Sequence, residues 1–427
     1  MSAARSEQGF RNRGKTDNQI LTSVQNMIQD AMDILGYGSD LFELLKEPKR
    51  ILKVRIPVRM DHGKVQVFTG YRAQYMDAVG PTKGGVLMHP DVNEDQVKAL
   101  SMWNGIKSSI LSLPFGGAKG GVVCDPRTMS FRELEHLTRG YIRAISSVIG
   151  PAKDIPAMDP FSSPQLMSWM ADEYRNTHPG ESASFITGKP IVLGGLRGRD
   201  TAIADGMVSF IRETAHIRRL DLKSSGMIVQ GFGSAGSLIA KSLYDSGVRI
   251  VGISDAYGAL YNPDGLQMDE LLNSRDSFGT VTKLFEHTIT NKELLEKPCD
   301  ILVLAAIENQ ITESNAKKIR ARAVIEGTGG AISDKGAQML EEENILVIPE
   351  IIAGAGDVAF SYLEWARHLQ GNIWTDQEVG KKLSQILTGA LHDVSETAKE
   401  RKVIMKKAAL LVGIERLAEA VRYRGWV

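Results

Sequence analysis

One stretch, residues 226–255, limits the possible folds more than any other. A short apolar run ends at Gln230 and passes into Gly231-Phe232-Gly233-Ser234-Ala235-Gly236. Helix-spaced Leu238, Ile239 and Leu243 follow, Gly247 stops them, and a second apolar run closes on Asp255. Strand, glycine turn, helix and strand in about 30 residues form a right-handed crossover between parallel neighbours. The same texture begins at about Thr187 and predicts further strands at 300–306, 321–326 and 345–349, hence a parallel sheet flanked by helices. Such sheets leave a ligand crevice at the carboxyl ends of their strands.

The glycines suit a dinucleotide. Gly231 makes the tight turn, Gly233 lets the backbone approach a pyrophosphate, and Gly236 lets helix and strand pack closely. The helix start at Ser234 supplies donors and partial positive charge. Asp255 lies 19 residues after Gly236, where a carboxylate accepts ribose hydroxyls and repels a 2′-phosphate, so the expected cofactor is NAD rather than NADP. The competing reading is a glycine-rich turn in a doubly wound domain that binds no nucleotide.

Before this domain the chain reads differently. Residues 1–16 lack periodic apolar positions and read as a flexible tail. Ile20, Val24, Ile28, Met32 and Leu35 have helical spacing, and 51–60 with 64–71 alternate as paired strands around Asp61-His62-Gly63. Asn93 opens a helix to about Leu111, and Ser130 with Glu133 forms a capping box for the next. Helices return after Gly356 and are expected to pack back on the first domain.

Composition narrows the function. Lys plus Arg number 51 and Asp plus Glu number 51, so no basic field invites nucleic acid. The longest apolar run, 301–307, is far below the ~18 residues that cross a bilayer, and no apolar signal segment opens the chain. A cytoplasmic protein without a membrane partner is expected. Cys124 and Cys299 read as reduced core residues, and neither has metal-ligand spacing with a histidine, so no metal is expected.

A second constellation carries chemistry. Lys119 sits in Gly116-Gly117-Ala118-Lys119-Gly120-Gly121, where neighbouring side chains cannot shield its ammonium. The Gly-Lys-Ser/Thr order of a phosphate-binding loop is absent. An ammonium close to others and away from water has a lowered pKa, useful for proton chemistry or for polarising a carbonyl. Lys83, in Gly80-Pro81-Thr82-Lys83-Gly84-Gly85, and Lys107, on the helix opened by Asn93, are candidates for the same cleft and suit a dianionic substrate. Asp159 lies between Pro156 and Pro160, which fix the backbone as a positioned acid or base requires. Each of these is also an ordinary surface or turn residue when taken singly.

Together these motifs resemble the hexameric NAD-dependent glutamate dehydrogenases of the Glu/Leu/Phe/Val dehydrogenase superfamily. The resemblance covers nearly everything after about residue 20, including Thr187-Gly188-Lys189-Pro190 and the terminal Arg424-Gly425-Trp426-Val427. It implies an α/β chain of two domains: a substrate-binding and oligomerisation domain over 17–187, a Rossmann-type NAD-binding domain over 188–355, and returning helices over 356–427. It implies a homo-hexamer that deaminates L-glutamate oxidatively and reversibly to 2-oxoglutarate and ammonium. Lys119 is then the catalytic lysine, and Asp159 exchanges protons with the amino group. Lys107 holds the α-carboxylate, and Lys83 with Ser361 holds the γ-carboxylate.

Several residues depart from the family pattern: Met76, Leu87, Met158, Ser162, Ser163, Ile203, Ser234, Gly329, Gly354 and Asp357. Asp357 stands one helical turn before Ser361, where its carboxylate would pair with Lys83 or repel the substrate. Two readings therefore stand beside glutamate turnover: altered amino-acid specificity, and a non-catalytic regulatory homologue that keeps the fold.

Overall fold

The computed structural model describes residues 17–159, 162–276 and 280–427. The expected tail over 1–16, and Pro160 of the Asp159 motif, lie outside the described residues. The chain forms two compact units, one running to Arg199 and taking in Val358–Val379 and Leu410–Val427, the other made of Asp200–Asp357 and Gly380–Ala409.

The first unit begins with helix α1, Asp17–Leu35, which buries Leu21, Val24, Ile28 and Met32 at helical spacing. Strands β1, Arg50–Arg59, and β2, Val65–Tyr75, pair antiparallel across a turn where Gly63 takes φ 86°. Strand β3, Thr82–Met88, is followed by helix α2, Glu94–Ile110, whose Asn93 cap accepts from the Gln96 amide at 2.9 Å. After β4, Gly116–Val122, comes α3, Phe131–Ile145, opened by the expected Ser130 and Glu133 capping box. Strand β5, Asp154–Ala157, and helix α4, Pro164–Thr177, complete it.

The sheet order is β1-β2-β4-β3-β5, with β3 parallel to both β4 and β5. Both glycine-flanked lysines thus stand on central strands, not on ligand-facing loops. Every residue of β3 and β4 is buried. A Cβ on Gly84 would lie 1.6 Å from the Ala118 carbonyl oxygen, and one on Gly117 would lie 2.0 Å from that of Ser101 on α2. The glycines let strand, strand and helix approach, and Gly has no side-chain alternation to reveal a strand.

The second unit opens with helix α5, Ala202–Arg218, then β6, Gly226–Gln230, helix α6, Ser234–Asp245, and β7, Arg249–Ser254. A short edge strand β8, Ala259–Tyr261, runs antiparallel to β7 and has no counterpart in the sequence expectations. Strands β9, Ile301–Leu304, and β10, Ala323–Glu326, precede helix α7, Asp334–Glu342, and strand β11, Leu346–Ile348. The order β11-β10-β9-β6-β7-β8 is parallel apart from β8. That is the doubly wound arrangement the sequence implies. Three long helices close the chain: α8, Gly356–Gln370, α9, Asp376–Arg401, and α10, Met405–Tyr423. Within the described residues no helix is long and apolar enough to cross a membrane.

Candidate active site

In the first unit, Lys119 on β4 forms an ion pair with Asp159, two residues beyond β5. Both side chains are nearly buried, at 9% and 12% exposure, so water screens the pair little. Two features aim Asp159. A Cβ at Gly85 would lie 2.2 Å from its Oδ2, so only glycine leaves room for the carboxylate. The Ser162 hydroxyl accepts from the Asp159 amide and donates to the Asp159 carbonyl, both at 2.8 Å. Ser163 caps α4 by accepting from the Leu166 amide. The two serines that depart from the family pattern therefore have defined local tasks.

Lys83 on β3 points into a buried polar chain. Its Nζ donates to Thr187 Oγ1 at 2.6 Å, and Thr187 Oγ1 lies 2.8 Å from Ser361 Oγ on α8. The structure therefore brings Lys83 and Ser361 to one shared hydroxyl. Burial pulls the Lys83 ammonium down to a pKa of about 7, helped by Arg199, Lys189 and Arg72 and opposed by Glu364. Lys107 is half-buried on α2, one turn beyond Asn104, whose amide donates to the Ala118 carbonyl beside Lys119. Asp357 is exposed in the first turn of α8.

Sequence reasoning missed the buried frame behind these lysines. Arg72 on β2 binds Asp154 on β5 through two nitrogens at 2.7 and 2.6 Å, and its third nitrogen donates to the Gly84 carbonyl. Gln74 adds a bond to Asp154 at 2.8 Å. Arg199 was missed too: its Nη2 reaches the Met158 carbonyl at 3.4 Å, while its buried Nε and Nη1 have no partner among the described residues. A half-buried arginine with two buried spare donors is a candidate carboxylate ligand, but no spacing rule singles it out. Of the departures, Leu87 is buried in an apolar cluster with Tyr71, Val92 and Val97, and Met76 is buried with φ 43°. That left-handed backbone suits Asn better than Met.

In the second unit the glycine loop has the expected geometry. Gly231 takes φ 94° and its amide reaches the Ser254 hydroxyl at 3.2 Å. A Cβ on Gly236 would lie 1.8 Å from the Gly231 carbonyl oxygen, whereas one on Gly233 would meet nothing within 4 Å. Gly233 thus leaves open space at the start of α6, beside Ser234, and the residues fit a dinucleotide pyrophosphate. Asp255 differs from the simple expectation. Its carboxylate already accepts from the amides of Tyr257, Val281 and Thr282, at 2.9, 2.8 and 2.9 Å, and from the Thr282 hydroxyl at 2.5 Å. Burial alone would raise its pKa, but these bonds hold it below the usual carboxylate value. A ribose hydroxyl bound here would share an acceptor that is already in use.

A lysine-bearing α/β unit together with a parallel dinucleotide-type sheet defines a two-domain dehydrogenase. A model of the Glutamate/Leucine/Phenylalanine/Valine dehydrogenase family matches residues 194–425, and its dimerisation-domain model matches 48–176. The chain belongs to the Glu/Leu/Phe/Val dehydrogenase family. It is 53% identical over 423 residues to the cryptic catabolic NAD-specific glutamate dehydrogenase GudB of Bacillus subtilis (strain 168), covering 98% of this chain and 99% of that one. It is 54% identical over 410 residues to the NAD-specific glutamate dehydrogenase of Staphylococcus aureus (strain COL), with 96% and 99% covered. The glutamate dehydrogenase of Peptoniphilus asaccharolyticus superposes with TM-score 0.87 at 37% identity, over 96% of this chain and 100% of that one. The hetero-hexameric glutamate dehydrogenase of Thermus thermophilus, in its Leu-bound form, gives 0.84 at 33% identity, over 97% and 99%.

Proposed function

We propose that Lys119 and Asp159 are the chemical pair of an NAD-dependent amino-acid dehydrogenase whose substrate is L-glutamate. The reaction is reversible oxidative deamination to 2-oxoglutarate and ammonium. The observation that carries this reading is the nearly buried Lys119 and Asp159 ion pair, in the same unit as the Lys83, Thr187 and Ser361 chain. The family and the names of the relatives at 53% and 54% identity support the substrate and the cofactor. NAD, when bound, supplies the hydride acceptor.

The chain's own residues do the rest. Asp159 takes a proton from the substrate ammonium, so the nitrogen lone pair assists loss of hydride and an imine forms. Water adds to the protonated imine and gives up its protons to solvent as the carbinolamine forms and collapses, while Asp159 returns its proton to the nitrogen, which departs as ammonia and is protonated to ammonium. The Lys119 ammonium stabilises the charge that develops on the oxygen of the carbinolamine as it becomes the 2-oxo group. Lys107 binds the α-carboxylate; Lys83 and Ser361 bind the γ-carboxylate, and Arg199, with its spare donors, supports a further carboxylate contact. Gly231, Gly233, Ser234, Gly236 and Asp255 form the cofactor site. The first unit is the substrate domain and the second the NAD domain. We assign a homo-hexamer, supported by the dimerisation-domain match, and a cytoplasmic location, which suits the free Cys124 and Cys299.

The test follows NADH absorbance with ammonium and a panel of 2-oxo acids, with NADH binding read by fluorescence. Turnover of 2-oxoglutarate is expected, and Lys119→Ala removes it while NADH still binds. NADH binding without turnover of any 2-oxo acid would overturn the proposal.

A further inference from the structure

One carboxylate fastens the segment after α4 to α8. Glu364, 1% exposed at its side chain, accepts from the Gly188 amide at 2.9 Å and the Lys189 amide at 3.4 Å, and pairs with Lys189 Nζ at 3.0 Å. Ser361 lies three residues earlier on the same helix and meets Thr187, the hydroxyl that holds Lys83. Thr187 also continues the sheet: its amide donates to the Pro156 carbonyl at 3.0 Å, and its carbonyl accepts from the Met158 amide at 3.2 Å. Thr187 therefore stands between the Lys83 anchor and the strand end that carries Asp159. A buried ion pair adds little stability over well-packed apolar residues of the same volume, so packing alone does not explain this one.

We infer that Glu364 is a positioning residue for the distal-carboxylate subsite, holding Thr187 against α8 and supplying the negative charge that balances Lys83 among its cationic neighbours. The inference rests on the assignment of Lys83 and Ser361 to the substrate γ-carboxylate. The charged groups acting on Lys83 are Arg72 on β2, Lys189 and Arg199 in the segment between α4 and α5, and Glu364 on α8. Of these four, Glu364 alone is negative. Its loss leaves the Lys189 ammonium buried beside Lys83, whereas loss of Lys189 leaves a buried negative charge there. The two changes therefore drive the charge state of Lys83 in opposite directions.

The experiment uses the full-length protein with saturating NADH and ammonium. The ratio of kcat/KM for 2-oxoglutarate to that for 2-oxopentanoate, which lacks the distal carboxylate, is followed against pH. Taking the ratio cancels titrations common to both substrates and leaves those that sense the distal carboxylate. For the unaltered protein the ratio falls above a pH of about 7. Glu364→Gln moves the falling limb down by about one pH unit, a factor of ten in the ammonium fraction, and Lys189→Met moves it up. A limb that stays in place in both variants, or moves the same way in both, overturns the inference. Should Glu364→Gln fail to bind NADH, Lys189→Met is compared with the double variant Lys189→Met/Glu364→Gln: the limb moves up in the first and falls back in the second if Glu364 supplies the balancing charge, and an equal rise in both overturns the inference. Lys83→Met separates the two levels: a limb that survives it sinks the assignment of Lys83, whatever Glu364 does.

Discussion

The two units both use clustered glycines, and for different ends. In the first, the glycines of β3 and β4 lie inside the sheet: a Cβ would collide with backbone at 1.6 to 2.0 Å at Gly84, Gly116 and Gly117, and with side chains at 2.2 to 2.5 Å at Gly85, Gly120 and Gly121. In the second, a Cβ would meet backbone at 2.6 Å on Gly231 and 1.8 Å on Gly236, but Gly233 faces open space. A glycine run therefore does not by itself mark a ligand loop. What separates the cases is whether the missing side chain would meet protein or nothing.

Substitutions at these glycines give the sharpest break. Gly84→Ala and Gly117→Ala force backbone apart in a packed core and are expected to cost more than about 3 kcal/mol, seen as a large fall in Tm or as insoluble protein. Gly233→Ala, by contrast, leaves Tm within about 1 °C and weakens NADH binding roughly tenfold or more by blocking backbone approach. Equal losses of stability at Gly84 and Gly233 would erase the distinction.

Next in size is the buried frame. Arg72→Leu leaves Asp154 as an uncompensated buried carboxylate, and the expected loss is about 3–5 kcal/mol by urea unfolding. A loss below about 1 kcal/mol would mean that Asp154 finds another partner or takes up a proton.

Lys83 gives a pH signature of opposite sign for folding and for binding. Its pKa in the fold, about 7, lies below the ordinary lysine value of 10.5. Folding therefore disfavours the ammonium: the penalty is complete below pH 7 and is relieved as pH rises from about 7 to 10.5. Binding of a dicarboxylate needs that ammonium and weakens over the same rise. Calorimetric titration of glutarate at pH 6 and pH 8.5 checks this, with roughly thirtyfold weaker binding expected at the higher pH.

Smallest is Asp357→Gly. The residue is exposed in the first turn of α8, one turn before Ser361, so removing its charge is expected to raise kcat/KM for glutamate by about twofold to fivefold at low salt. No gain would discard the repulsion argument.

The same contrast explains what the sequence revealed. The second sheet was legible because β6, β7, β9, β10 and β11 are continuous apolar runs separated by helices, the pattern of strands buried on both faces. Edge strand β8 was not, since three residues show no period. In the first unit β1 and β2 showed alternation, but β3 and β4 are written mostly in glycine and short polar or aliphatic residues. Lys83, Lys119 and Asp159 could be named from their motifs, but the Arg72 and Asp154 pair, the Thr187 hydroxyl, Arg199 and the buried Glu364 could not. Each is far in sequence from what it touches, Arg72 by 82 residues and Thr187 by 174, and a single chain carries no record of such pairings. Asp255 was named correctly as a strand-end acid, yet its occupation by residues 281–282 depends on a loop whose course local patterns do not encode.

The central claim is that the Lys119 and Asp159 pair performs the proton chemistry. Asp159→Asn tests it most directly, because the change keeps the shape and removes the base. Steady-state NADH formation from glutamate should fall by about 10²–10⁴-fold, with the NADH dissociation constant close to that of the unaltered protein. Glutamate turnover retained within tenfold at unchanged NADH affinity would contradict the account.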